Sequence, residues 1–411
     1  MRTYISGNLK SFCLFCAKHS YGNMTGARIK STYLLIYMGF ATWRVFYNVF
    51  LEENNFTGAE IGLINALFLS SIFLIVPLWG FVADRKGIRP TLRWLCIATA
   101  IFILFLGKIQ IFGFLIFYIL VLSIFYHPLG PLNDALAVEF SKTNTKYNYG
   151  KLRLWGSLGW AIASILGGYL FVFIAIDYIF PVSAIFFLSA IFLLKIPLKR
   201  KIIYKPNFQP FKFRIIFSNS HLLIFICILL LYGIACSPIN SFINLYFTEL
   251  HANNKIIGYA YAIQAFSELP FFIIGERLIR RFGSKRIIVI SLAVMVVRMF
   301  LYGFIPSVPL GLALGVLQGI TLSFFLVGVV DYIHRLLPKG KYALAQSIIW
   351  GVYIGFGQTV GNVVIGFMKD LVGMVTVMWV FGILAFVVLI ATSIYFYLYR
   401  GQKGDRALAG G

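Results

Sequence analysis

The chain has 411 residues, of which 60% are hydrophobic and only 12% charged. A soluble domain carries roughly twice that charged share, so the composition excludes a soluble protein with an anchor and indicates a chain threaded repeatedly through a membrane. The net charge of +23 would suit nucleic acid, but roughly 31 of the 36 Lys and Arg lie in the tails and alternate loops, which is the positive-inside pattern. The charge therefore marks topology, with both termini expected to be cytoplasmic. Attraction to anionic lipid follows from it, and a nucleic-acid partner does not.

Residues 1–30 read as a basic cytoplasmic tail, with Arg2, Lys10, Lys18, Arg28 and Lys30 around a short apolar patch. Cys13 and Cys16 have the Cys-x-x-Cys spacing but no second pair, so no metal is expected. Twelve apolar segments of spanning length follow, near 31–51, 59–83, 91–110, 111–138, 150–176, 178–196, 220–249, 256–275, 285–304, 308–333, 342–368 and 373–399. This predicts an all-α membrane protein: a six-helix bundle over 31–197, a basic linker over 198–219, a second six-helix bundle over 220–400 and a short tail over 401–411.

A polar side chain inside a span is costly against lipid, so it should face a protein-lined cavity. In the first span Arg44 and Asn48 lie one turn apart. Arg44 can also snorkel outwards, the outer end being about 10 Å away. Between the second and third spans runs Gly80-x-x-x-Asp84-Arg85-x-Gly87-x-Arg89. Gly87 permits a tight reversal, Gly80 would let a neighbouring helix approach closely, and Asp84 can accept hydrogen bonds from a facing helix and so gate one side.

The fourth and fifth spans carry Asp134 and then Arg153, Ser157, Trp160 and Ser164, a stripe at i, i+4, i+7 and i+11. Asp134 is the natural counter-charge for Arg153, and Trp160 offers a flat face for a sugar or aromatic ring. In the seventh span Asn240 and Asn244 flank a helix opened by Pro238. Gln264 and Glu268 follow in the eighth. A carboxylate is expensive to keep charged there, so Glu268 is suited to taking up and releasing a proton, with Arg298 in the ninth span as its alternate partner. In the eleventh span Gln346, Trp350, Tyr353 and Gly357 would share one helical face.

The hairpin recurs about two hundred residues later, where Arg281, Gly283 and Lys285 align with Arg85, Gly87 and Arg89 and Arg280 replaces Asp84. One hairpin at matching places in two halves indicates internal duplication, and two bundles facing each other across a cavity.

Gly80, Asp84, Arg85, Gly87 and Arg89 match the loop between the second and third helices of the major facilitator superfamily, which the chain resembles over nearly its whole length. From Tyr149 to Gly168 it is similar to the lactose-permease, phenylpropionate-permease and nucleoside-symporter branch. That resemblance implies a substrate-holding role for Asp134 and Arg153, stacking by Trp160, a small residue beside the sugar in Ser157, and proton coupling through Arg298. It also marks a departure: the tenth-helix lysine, histidine and glutamate of lactose permease correspond to Gly315, Gln318 and Thr321. That relay is absent, so a proton route would run through Glu268 or Asp134.

The sequence therefore predicts a secondary transporter working by alternating access, with no cofactor, in a bacterial-type inner membrane and as a monomer. Its expected partners are a small solute, protons and lipid. The solute site is expected at Arg44, Asn48, Asp134, Arg153, Ser157, Trp160, Asn240, Asn244, Gln264 and Gln346, with coupling at Glu268 and Arg298. Proton symport of a carbohydrate or nucleoside leads. An organic-anion carrier or a drug-efflux antiporter of the same fold is the alternative, since three arginines face two acids. A membrane enzyme would need an acid cluster, a metal set or a nucleophile with its base, and the sequence offers none; nor does it hold an ATP-binding loop.

Overall fold

In lipid a backbone can satisfy its own polar groups only as a helix or a closed barrel, and these apolar runs choose the helix. The computed structural model describes residues 26–143, 146–147, 149–194, 220–336 and 349–399. The linker 198–219, Cys13, Cys16, Gln346 and the tail 401–411 lie outside the described residues.

Nine helical runs among the described residues are long and apolar enough to cross a membrane. The first six are α1 (Gly26–Glu53), α2 (Gly58–Lys86), α3 (Ile88–Leu106), α4 (Phe112–Ser141), α5 (Tyr149–Phe173) and α6 (Ile176–Leu193). In the second half α7 covers 220–249 in three pieces, Ser220–Ala235, Ser237–Ser241 and Ile243–Glu249. Then come α8 (Asn254–Phe282), α9 (Ser284–Phe304) and α10 (Val308–Leu336). The last run, Ile349–Leu398, is broken at Gly373, where φ is 77°, into α11 before it and α12 after it. Each of the twelve expected segments thus has a helical counterpart. The expected boundaries differ mainly at the hairpins, where the helices run on to the turn glycine.

Gly87 (φ 95°) and Gly283 (φ 79°) join α2 to α3 and α8 to α9. The echoed hairpin therefore has one backbone solution used twice, in a region that L side chains rarely adopt. Gly80 departs from expectation. Beyond its own helix, no atom lies within 4 Å of where its Cβ would stand, so in this conformation no neighbouring helix packs closely on it.

Local breaks follow the residues that cannot continue a helix. Pro238 begins the middle piece of α7, and Pro77 and Pro270 lie inside α2 and α8. Residues Gly319–Phe324 of α10 and Ile349–Gly357 of α11 are π-helical. Thr57 and Glu60 form a reciprocal capping box at the start of α2.

Within the first half α1 packs on α5 and α6, and within the second α9 packs on α12. The halves meet along α5 with α8 and α2 with α11. Glycines make both seams possible: a Cβ on Gly62 would run into the backbone of Asn362 and Gly366, and one on Gly168 into that of Asn254 and Gly258. These seams lie toward the face opposite the two glycine hairpins.

On that same face the Asp370 carboxylate accepts from the backbone N–H groups of Gly58 (2.7 Å) and Ala59 (2.9 Å), capping α2 from across the interface. Beside it Lys369 pairs with Glu52 at 2.7 Å. A carboxylate on a helix N-terminus contributes about 1 kcal/mol. Asp370→Asn is therefore expected to shift the balance between clamped and unclamped states about fivefold. Pulsed electron paramagnetic resonance between spin labels at Glu53 and Leu371 reads this as growth of the longer distance; an unchanged distribution would contradict it.

The hairpin face is different. Leu78 is 62% exposed, and Asp84, Arg85 and Lys86 are exposed at the end of α2. Asp84 has no partner among the described residues, and Arg85 stacks on its own helix, over Phe81 at 3.9 Å. The latch expected of Asp84 is thus open in this conformation, in which the clamp has formed at the other end. Arg89, by contrast, is buried.

Candidate functional site

The clearest polar constellation joins α1, α4 and α5. Arg153 Nε lies 3.5 Å from Asp134 Oδ1, with the two side chains 35% and 33% exposed, so the pair is partly open rather than sealed in a core. Tyr33 donates its hydroxyl to the same Asp134 oxygen at 2.7 Å. The Arg153 guanidinium rests over the ring of Tyr37 at 4.5 Å. Tyr149, at the start of α5, faces both members of the pair. Helical spacing explains this: Tyr33 and Tyr37 are one turn apart on α1, so one face meets the acid and then its base.

Further along α1, Arg44 Nη1 donates to Asn65 Oδ1 at 3.3 Å, and its guanidinium lies over Phe68 at 5.1 Å and Trp43 at 5.4 Å. Tyr126 of α4 and Tyr261 of α8 also neighbour it. Among the described residues Arg44 has no carboxylate partner. Asn65 in turn donates to Asn48 Oδ1 at 2.8 Å.

Asn48 and Asn244 are placed otherwise than expected. Asn48 Nδ2 donates to the Ser241 carbonyl (2.7 Å) and to Asn244 Oδ1 (3.2 Å), while Asn244 Nδ2 donates to the Val45 carbonyl (2.9 Å). Both are buried. Their amides fasten α1 to α7 across the two halves, and a solute would have to displace that bonding to use them. Asn240 remains half-buried and donates to Cys236 Sγ at 3.3 Å and Tyr353 Oη at 3.4 Å.

On α8, Glu268 lies near Arg153, Gln318 and Arg298. Arg298 is fully buried. It donates to Gln318 Oε1 and, at 3.2 Å, to Thr321 Oγ1, while its Nε has no partner. The Glu268–Arg298 pairing expected from the sequence is not formed as a direct salt bridge in this conformation. The Gln318 oxygen accepts from Arg298, and Gln318 also lies beside Glu268. The π segment of α10 begins at Gly319 and holds Thr321 beside Arg298, a local widening of the kind common at functional positions. Gln264, one turn before Glu268, is 7% exposed, and its Nε2 has no partner.

Ser157 is half-buried on the Arg153 face. Trp160 packs against Ala161 of its own helix and Ala262 and Ala265 of α8, so part of its ring seals the α5–α8 seam. The stripe expected on α11 is not one face. Trp350 is 52% exposed whereas Tyr353 is buried and Gly357 lies against Gly233, because the π turn between them changes the angular step. His127 accepts a structural place, its Nε2 lying 2.7 Å from the Phe68 carbonyl.

The MFS_1 like family matches residues 27–382. The chain belongs to the major facilitator superfamily. This transporter is 26% identical over 391 residues to the uncharacterized transporter YwbF of Bacillus subtilis, covering 93% of this chain and 95% of that one. It is 29% identical over 349 residues to the maltose permease of Geobacillus stearothermophilus, covering 82% and 86%. The crystal structure of the nucleoside transporter NupG matches its fold with a TM-score of 0.77 at 17% identity, covering 92% of this chain and 99% of that one. It is a multi-pass membrane transporter of small solutes and not an enzyme.

Proposed function

We propose that this transporter carries a small, ring-bearing, hydroxylated solute, carbohydrate before nucleoside, by alternating access and together with a proton. The observation that carries the reading is the partly open Asp134–Arg153 pair, with Glu268 near Arg153. A charged acceptor and a forked donor side by side suit vicinal hydroxyls, and the aromatic rings of Tyr37 and Trp160 suit stacking. The relation to a maltose permease favours sugar. Asp134 is held by Tyr33 and Arg153 with Tyr149 beside them, whereas Glu268 faces Arg153 and Arg298 without a salt bridge among the described residues, so Glu268 is the acid placed to exchange the proton. Its protonation would remove the negative charge that faces Arg153 and Arg298.

The clamp and the open latch correspond to a state facing the hairpin side. With the basic turns on that side, the hairpin face and both termini are cytoplasmic in a bacterial-type inner membrane. The transporter acts as a monomer with lipid around it. A second reading, an organic anion as solute, is favoured by Arg44, which lacks a carboxylate partner among the described residues.

Counterflow in proteoliposomes tests the substrate class. Competition by maltose or lactose, and not by 3-phenylpropionate, supports the sugar reading. Competition by the carboxylate alone would replace it with the anion reading.

A further inference from the structure

We infer that Tyr33 is the positioning residue of the solute site: its hydroxyl holds Asp134 so that Arg153 is free to leave the acid and engage the solute. This rests on the reading of Asp134 and Arg153 as that site.

Tyr33 is fully buried, so its hydroxyl cannot turn to water, and its 2.7 Å bond to Asp134 Oδ1 is short and charge-assisted. Arg153 approaches the same oxygen only to 3.5 Å, through Nε, and is otherwise supported by the flat ring of Tyr37 and by Tyr149, which also faces Asp134. The acid is thus held firmly from α1 and its base loosely.

The asymmetry has a consequence for binding. When Arg153 swings to a solute, an acid without another donor would be left uncompensated in an apolar bundle, at high cost. Tyr33, through its 2.7 Å bond, limits that cost, with Tyr149 beside it. Without its hydroxyl, Asp134 would draw the guanidinium to itself and compete with the solute. The effect should therefore appear in affinity, depend on the charge of Asp134, and leave the rocking of the halves alone.

The test measures initial uptake in proteoliposomes with whichever of tritiated maltose, lactose, uridine or 3-phenylpropionate the wild type carries. Tyr33→Phe is expected to raise KM about tenfold and leave the maximal rate within about twofold, as loss of one bond to a charged group predicts. In an Asp134→Asn background Tyr33→Phe should add nothing, since the charge it serves is gone. Tyr33→His, which keeps a donor, should recover most of the affinity and covers the case in which Tyr33→Phe assembles poorly.

A KM for Tyr33→Phe within about twofold of wild type, while Asp134→Asn raises it strongly, overturns the inference and leaves the site intact. Fully additive effects of the two substitutions also overturn it and assign Tyr33 to packing. An unchanged KM in Asp134→Asn, or carriage of none of the four probes, removes the reading beneath it.

Discussion

Arg153→Ala is expected to weaken solute binding by about thirtyfold, the effect of roughly 2 kcal/mol on truncating one partner of a charged pair. The lower end of the range applies because the pair is about one-third exposed and partly screened by water. Two losses combine. The solute loses a forked donor, and Asp134 keeps only its tyrosine partners. Arg153→Lys should fall between, since an ammonium carries the charge without the fork that spans two acceptors. Removing both charges in Asp134→Asn/Arg153→Ala should cost less than the sum of the single changes, because neither leaves a bare ion behind. Equilibrium dialysis of the labelled solute with detergent-purified variants measures this. Wild-type affinity in Arg153→Ala would contradict it.

Gly62→Leu is expected to all but stop transport while leaving the solute site able to bind. A side chain at Gly62 meets backbone of Asn362 and Gly366, which cannot turn aside as a side-chain end can. Overpacking of about 3 kcal/mol against the clamped state is about a hundredfold in the equilibrium between states. The halves would then stay parted at the end that Asp370 and Lys369 otherwise close. Binding should persist, since Asp134 and Arg153 lie in one half and do not depend on that seam. The discriminating measurement is net uptake beside solute affinity on the same preparation. Near-normal uptake would show that this face need not close as tightly as its glycines allow.

The sequence carries the large features because each leaves a local mark. Helical runs follow from apolar length, and the duplication follows from two hairpins whose glycines both take positive φ. The Asp134–Arg153 pair was legible because two opposite charges within apolar runs have little choice but to meet. Which neighbour a polar group uses is a different matter. Asn48 and Asn244 read as free cavity amides, since spacing places them on a face but does not say what lies against it; they are spent on each other across the halves. Asp370 falls between the eleventh and twelfth expected segments, where nothing in the sequence marks it, and only the fold brings it to the amides of Gly58 and Ala59.

For another reason, Tyr33 carries no mark in the sequence, and Gln318 is marked there only as a departure from a relay. Tyrosine and glutamine at span positions are as common in packing as in sites, and the signal that separates them is a partner on another helix. Tyr33 does lie one turn from Tyr37 and Gln318 one short of the π segment, but neither spacing points to an acid. The α11 stripe failed through geometry. A constant helical step cannot be assumed through Ile349–Gly357, whose π turn moves Trp350 away from Tyr353. Gly80 and Asp84 are informative by contrast. Their spacing announces a closing contact, and the conformation in which the opposite face is clamped leaves that contact unmade.

The central claim is proton-coupled solute movement through Glu268. The most direct measurement places the purified transporter in weakly buffered liposomes and records internal pH after maltose, uridine or 3-phenylpropionate is added outside, with Glu268→Gln in parallel. Internal acidification with one of these solutes, lost in Glu268→Gln while labelled solute still equilibrates, is the predicted result. Solute entry with no change in internal pH, or acidification that survives Glu268→Gln, would contradict the account.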